Sequence, residues 1–175
     1  MDRKLDINSG FYPAVSLRSI QQADQANLRN WKNKNRNGFF YKEIITEEEQ
    51  LKWYHGYLSR LNDYMFIVQV GSVDIGCMGF RLMNEGWDIY NVILGNPDFG
   101  KKGNMAHAFT IMCSFAQSLN LINISAKVVK ENPALDWYCR NGFRVAATFN
   151  DYIEIEINPD RFYPCAVTVF SDNNQ

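Results

Sequence analysis

One stretch constrains this chain more than any other: residues 87–119, where a strand-like run passes through glycines into an amphipathic helix. Trp87-Asp88-Ile89-Tyr90-Asn91-Val92-Ile93-Leu94 is rich in β-branched and aromatic residues, and Gly95-Asn96-Pro97-Asp98 stops it. Phe99-Gly100-Lys101-Lys102-Gly103-Asn104 then turns the chain, with glycines able to take positive φ. Met105, Phe109, Met112, Phe115 and Leu119 recur at three- and four-residue spacing, so the following helix has one apolar face. Amides without partners at a helix start favour an anion, and Lys101 and Lys102 add charge, so the backbone from Lys101 to Met105 is expected to hold phosphate. The turn is neither a Walker loop, because no Lys-Ser or Lys-Thr follows its last glycine, nor a Gly-x-Gly-x-x-Gly dinucleotide fingerprint.

The remainder of the chain supplies a sheet around this unit. Ala14 to Arg18 is expected to form a first strand, and a first helix starts around Gln22 and dissolves into the polar run Asn30 to Gly38. Thr46-Glu47-Glu48-Glu49 fits a capping box, which opens a second helix carrying Leu51, Trp53, Tyr54, Tyr57, Leu58 and Leu61. Residues 65–70 and 75–82 read as strand, turn, strand, antiparallel neighbours of residues 87–94. Ile122 to Val128 is another strand, Asn132-Pro133-Ala134 begins a short helix with Asn132 as N-cap, and Asn141-Gly142 ends it. A hairpin over 143–157 and a strand-like run from Cys165 to Phe170 complete an α/β chain.

With 175 residues, 46% of them hydrophobic, one domain is expected, over 14–158, with a loose arm over 1–13 and a C-terminal extension of the same domain over 159–175. A net charge of −1 argues against general nucleic-acid binding. No long apolar run follows Met1-Asp2-Arg3, so neither a signal nor a membrane span is expected and the location is read as cytoplasmic. Cys77, Cys113, Cys139 and Cys165 are scattered and the histidines are His55 and His107, so no metal site is expected.

The run Asn132-Pro133-Ala134-Leu135-Asp136-Trp137-Tyr138-Cys139-Arg140-Asn141-Gly142-Phe143, after the glycine turn and a strand, resembles the GCN5-related N-acetyltransferases (GNAT). Gly103 matches the central glycine of that family's phosphate loop, here Gly100 to Met105, and the resemblance spans about Val15 to Ile157. It implies a mixed, mostly antiparallel, V-splayed central sheet flanked by helices, acetyl-CoA as cofactor, and a primary amine as acceptor, in a monomer or homodimer. Leu28 to Asn33, with Ile45 to Glu48 and Trp53, is similar to members that acetylate nucleotide-linked amino sugars or ribosomal-protein N-termini. A peptide N-terminus, or a non-catalytic acyl-CoA-binding module, is the alternative.

Acetyl transfer from a thioester needs a neutral amine, a stabilised oxyanion and a proton for the departing thiolate. The resemblance implies a bulge over Val92, Ile93 and Leu94 that directs a backbone N–H at the carbonyl, Tyr138 as the acid, and Asn132 on the pantetheine arm. Alternation along the strand puts Asp88, Tyr90 and Val92 on one face and Ile89, Asn91 and Ile93 on the other. Asp88, or Glu85 just before it, is the candidate base, acting through a water. The acid-free stretch from Arg29 to Lys42 carries Arg29, Lys32, Lys34, Arg36 and Lys42. An anionic acceptor is expected against Arg29, Lys32 or Arg36, with a base stacked on Trp31 or a nearby aromatic.

Overall fold

The computed structural model describes residues 4–84 and 86–171. Nine strands form one sheet in the order β7-β8-β6-β5-β4-β3-β2-β1-β9. The strands are β1 (Leu5–Asn8), β2 (Val15–Ser19), β3 (Asp63–Val70), β4 (Val73–Met83), β5 (Gly86–Leu94), β6 (Ile124–Val129), β7 (Phe143–Thr148), β8 (Tyr152–Ile157) and β9 (Thr168–Ser171). The helices are α1 (Gln25–Lys34), α2 (Glu47–Ser59), α3 (Asn104–Leu119) and α4 (Leu135–Arg140). All pairings are antiparallel except β5 with β6, which α3 connects in parallel.

Two apolar layers cover the sheet. On one face Phe109, Ile111, Met112 and Phe115 of α3 and Tyr138 of α4 pack on Phe66, Phe80, Trp87 and Ile89. On the other, Leu28 of α1 and Tyr54 of α2 pack on Met65, Ile67, Cys77 and Ile93. Alternation along β3 feeds both layers, since Phe66 and Val68 face one and Met65 and Ile67 the other. Each large apolar side chain buried this way contributes about 1.5–3 kcal/mol.

The α2 capping box forms in full. Thr46 Oγ1 accepts from the Glu49 N–H at 3.2 Å and Glu49 Oε2 accepts from the Thr46 N–H at 2.8 Å. The first helix opens as a 3-10 turn over Gln22–Asp24, because the Asp24 carboxylate accepts from the Gln21 N–H at 2.7 Å and binds Arg18 at 2.8 Å. The fourth helix begins two residues later than expected, with Ala134 as its N-cap. Asn132 Oδ1 accepts from the Ala134 N–H at 2.9 Å, closing a turn ahead of α4 rather than capping it. Gly142, at φ 89°, stops that helix.

Within the expected loose arm, Leu5–Asn8 is instead a strand held on both sides, against β2 and against β9. Ile7 at its centre is fully buried. The C-terminal run enters the sheet only at Thr168, since the Cys165 N–H donates to Ser114 Oγ on α3 at 3.0 Å. No helix among the described residues is long and apolar enough to cross a membrane.

Candidate active site

β5 is irregular where it matters. Its register with β4 runs Cys77 to Ile93 but Gly79 to Tyr90, so Met78 faces both Asn91 and Val92. Asn91 takes φ 52°, in the left-handed region that asparagine tolerates better than most side chains. The extra residue reverses the facing of everything beyond it. Ile89 packs on the α3 side while Ile93 packs on the α1 and α2 side, and Val92 returns to the α3 side. Strict alternation therefore ends at Tyr90, and the irregularity begins one residue before the expected stretch from Val92 to Leu94.

Near the bulge the sheet opens. β5 and β6 pair only at Trp87 with Ile124, Asp88 with Ser125 and Ile89 with Ala126. Beyond Ile89 the two strands part, and a cleft of about 990 Å³ lies between them, lined by Tyr90 to Ile93, by Lys127 to Val129 and by Tyr138. Phe39, Phe40, Tyr41 and Trp53 from the α1 and α2 side, with Tyr152 of β8, make its walls aromatic. The loop from α1 to α2 is tied over this cleft. Asn33 exchanges hydrogen bonds with Ile45 at 2.8 and 3.0 Å, and Asn132 Nδ2 donates to the Gly38 carbonyl at 3.1 Å.

At the carboxyl end of β5, Lys101 (φ 59°) and Gly103 (φ 79°) shape the turn into α3. The first helical bond runs from the His107 N–H to the Gly103 carbonyl at 3.0 Å, which leaves the Asn104, Met105 and Ala106 amides ahead of the ladder. Met105 turns its side chain onto the α3 core, so its bulk does not cover those amides. Free amides, a helix start and two lysines suit a pyrophosphate, and the unpaired edge of β5 suits an extended chain bearing amides.

Tyr138 is 7% exposed, edge-on to Phe109 and Trp137, and lines the cleft. Burial pushes its phenol pKa up. Asp88 lines the cleft and accepts from Arg81 Nε at 3.1 Å. Burial raises its pKa and Arg81 opposes the rise. Tyr90 donates to the buried Asp63 carboxylate at 2.5 Å, while Asp63 also binds Arg60 Nε at 2.6 Å. Lys32 lines the cleft, donates to Asn91 Oδ1 at 2.5 Å and lies 3.2 Å above the Phe39 ring, and burial lowers its pKa to about 8.

Of the residues singled out in the sequence, Lys32, Asp88, Val92, Ile93, Asn132 and Tyr138 line the cleft together. Leu94 follows at the end of β5, and Gly100 to Met105 form the turn beyond. The cations of the first helix are not gathered. Arg29 reaches Glu47 at 3.7 Å, Arg36 donates to the Asn33 carbonyl at 3.0 Å and Lys42 lies 3.8 Å from Glu131. Trp31 is packed flat on the chain at Gly95, where a Cβ would come within 2.2 Å of its indole, so it offers no free stacking face there. Helical phase separates them: Leu28, Trp31 and Lys32 share the face on the sheet, and Arg29 does not. Glu85 lies outside the described residues. Sequence reasoning missed Asn91, Arg81, Lys127 and the aromatic walls; Asn91 in a strand run was the one local signal for the bulge.

The fold has counterparts in known structures. A spermidine N-acetyltransferase from Vibrio cholerae, in complex with CoA and spermine, is similar over 85% of this chain and 98% of its own at 18% identity, with a TM-score of 0.71. Apo FdhC, a nucleotide-linked sugar GNAT, is similar over 85% of this chain and 89% of its own at 14% identity, with a TM-score of 0.71. A domain from Methanocaldococcus jannaschii reaches the same TM-score of 0.71 at 17% identity, over 90% and 99% of the two chains. At these identities the likeness shows the fold. No curated protein matches the chain. The model of the acetyltransferase (GNAT) domain matches residues 15–136, most of the chain, and the protein belongs to the GNAT acetyltransferase family.

Proposed function

We propose that the protein transfers the acetyl group of acetyl-CoA directly to a primary amine of a small acceptor, and that the acceptor carries a nucleotide-linked, anionic portion. Acetyl-CoA, the donor the family uses, supplies an acyl group already activated as a thioester. The unpaired edge of β5 from Tyr90 to Ile93 receives the amide-bearing arm of that donor, and the amides from Lys101 to Met105 receive its pyrophosphate. Asn132 stands across the cleft from β5, fixed by Gly38 and Ala134.

Three groups carry the chemistry. The bulged backbone at Val92 presents an amide to the carbonyl oxygen as charge develops there. Tyr138, kept protonated by burial, delivers its Oη proton to the sulfur as the bond to it breaks. Asp88 takes the amine proton through a water, and Arg81 keeps the carboxylate charged against the pull of burial. An amine with a pKa near roughly 8, as on a sugar or a chain terminus, needs less help than a lysine at about 10.4.

The observation that carries this reading is the coincidence of three features: β5 leaves β6 after Ile89, bulges at Asn91 and faces Tyr138 across the opening. For the acceptor, the support is chemical. Aromatic walls suit a base, and Lys127, exposed at the cleft and 5.5 Å from the Tyr152 ring, suits a phosphate. The FdhC likeness is consistent with such an acceptor. The test compares kcat/KM for an amino sugar and its nucleoside diphosphate conjugate at low and high salt, in wild type and Lys127→Glu. The conjugate is expected to be preferred about tenfold or more, and the preference to shrink with salt and with the charge reversal. Equal values would remove the nucleotide and raise a peptide N-terminus as the acceptor.

A further inference from the structure

Lys32 is an expensive side chain in an unusual place. It projects from α1 into the cleft, mostly enclosed, and its partners are an amide oxygen and an aromatic face rather than a carboxylate. A buried ammonium without an opposite charge costs stability, so its placement calls for a compensating role. The group it holds is Asn91, the residue at φ 52° where β5 slips register against β4. From the other side the buried Cys77 thiol donates to the Asn91 carbonyl at 3.4 Å. Asn91, itself a cleft-lining residue, is thus gripped by its side chain from α1 and by its carbonyl from β4.

We infer that Lys32 is a positioning residue: by donating to Asn91 Oδ1 it holds the β5 bulge in the shape that presents the neighbouring Val92 amide to the reacting carbonyl. The inference rests on the acetyl-transfer reading, and gives the ammonium a role distinct from binding an anion on the acceptor. Asn91 in the left-handed region is held there against its own preference, and loss of the clamp frees it to return to extended backbone. That return would shift the following amide. Small displacements of a preorganised donor are costly to turnover, and they leave ground-state binding nearly alone.

The test is a double-mutant cycle of Lys32→Met and Asn91→Gly, read in kcat, in both KM values and in amide hydrogen exchange at residues 91–93. Lys32→Met is expected to lower kcat about 10²-fold, with each KM changed less than about threefold, and to speed exchange at the bulge. Glycine takes positive φ without penalty, so in the Asn91→Gly background the same Lys32→Met change is expected to cost less than about fivefold. Lys32→Gln, which keeps a donor, is expected to recover part of the loss. Equal cost in both backgrounds, or a loss confined to the acceptor KM, would overturn the inference and make Lys32 an acceptor-binding group. If wild type acetylates none of the amines offered, the acetyl-transfer reading fails by itself. Exchange at the bulge then decides the clamp: faster exchange in Lys32→Met keeps it, and unchanged exchange removes it.

Discussion

Gly76 of β4 and Ile93 of β5 touch backbone to backbone: a Cβ on Gly76 would come within 2.2 Å of the Ile93 carbonyl oxygen. This contact lies just beyond the bulge, where Gly76 pairs with Leu94 and Cys77 with Ile93. Gly76→Ala must push β5 away, and the displaced segment is the one that lines the cleft. The expected outcome is a loss of about 1–3 kcal/mol in stability, measured by denaturant unfolding, with a fall in turnover beyond what unfolding explains. Wild-type turnover in the folded variant would show that the spacing of β4 and β5 does not set the site.

Tyr138→Phe separates chemistry from packing. The ring keeps its edge-on contacts with Phe109 and Trp137, and only the hydroxyl is lost. Turnover should fall roughly 10²–10⁴-fold under conditions where chemistry limits the rate, with CoA affinity and Tm near wild type. Unchanged turnover would leave Tyr138 as an ordinary member of the core.

Gly103→Val addresses the cofactor turn. At φ 79° position 103 sits in the left-handed region, where a β-branched residue is strained. The turn is expected to rearrange and carry the Asn104 and Met105 amides with it, and CoA binding by calorimetry should fall below detection in a variant that remains folded. Full affinity would place the pyrophosphate elsewhere.

Lys32 should be visible in the pH dependence of stability. Its pKa is lowered to about 8 by burial, and an unfolded lysine titrates near roughly 10.4. Between these values the unfolded chain binds a proton that the folded chain lacks, so the Lys32 contribution to stability rises with pH through that window. Cys77 opposes it, since burial pushes its thiol up to about 12 and the folded chain keeps a proton that the unfolded chain releases from roughly 8.5 upward. Wild type minus Lys32→Met reads the lysine together with its pull on the Cys77 thiol. Their Tm difference should move in favour of wild type from pH 8 to pH 10, and a constant difference would mean that the ammonium is solvated.

What could be read from the sequence was what is local. The α2 capping box needs only Thr46 and Glu49, three residues apart, and the unit from Trp87 to Leu119 announces itself through strand propensity, glycines and helical spacing. β1 escaped notice because its burial depends on β9, a partner near the other end of the chain. The acceptor-side cations misled for a related reason. Arg29, Lys32 and Arg36 are close in sequence, yet the helix turns only Lys32 into the cleft, toward Asn91, 59 residues away. Alternation along β5 predicted its facing up to Tyr90 and failed at a single inserted residue, which no spacing rule reveals.

Acetyl transfer to an amine is tested by release of free CoA from acetyl-CoA over a panel of amino sugars, nucleotide-linked amino sugars, polyamines and peptide N-termini, with the acetylated product followed by mass. The expected result is amine-dependent release matched mole for mole by an N-acetylated acceptor, fastest with a nucleotide-linked amine. Tight CoA binding with no amine-dependent release across the panel would contradict it and make the protein an acyl-CoA-binding module.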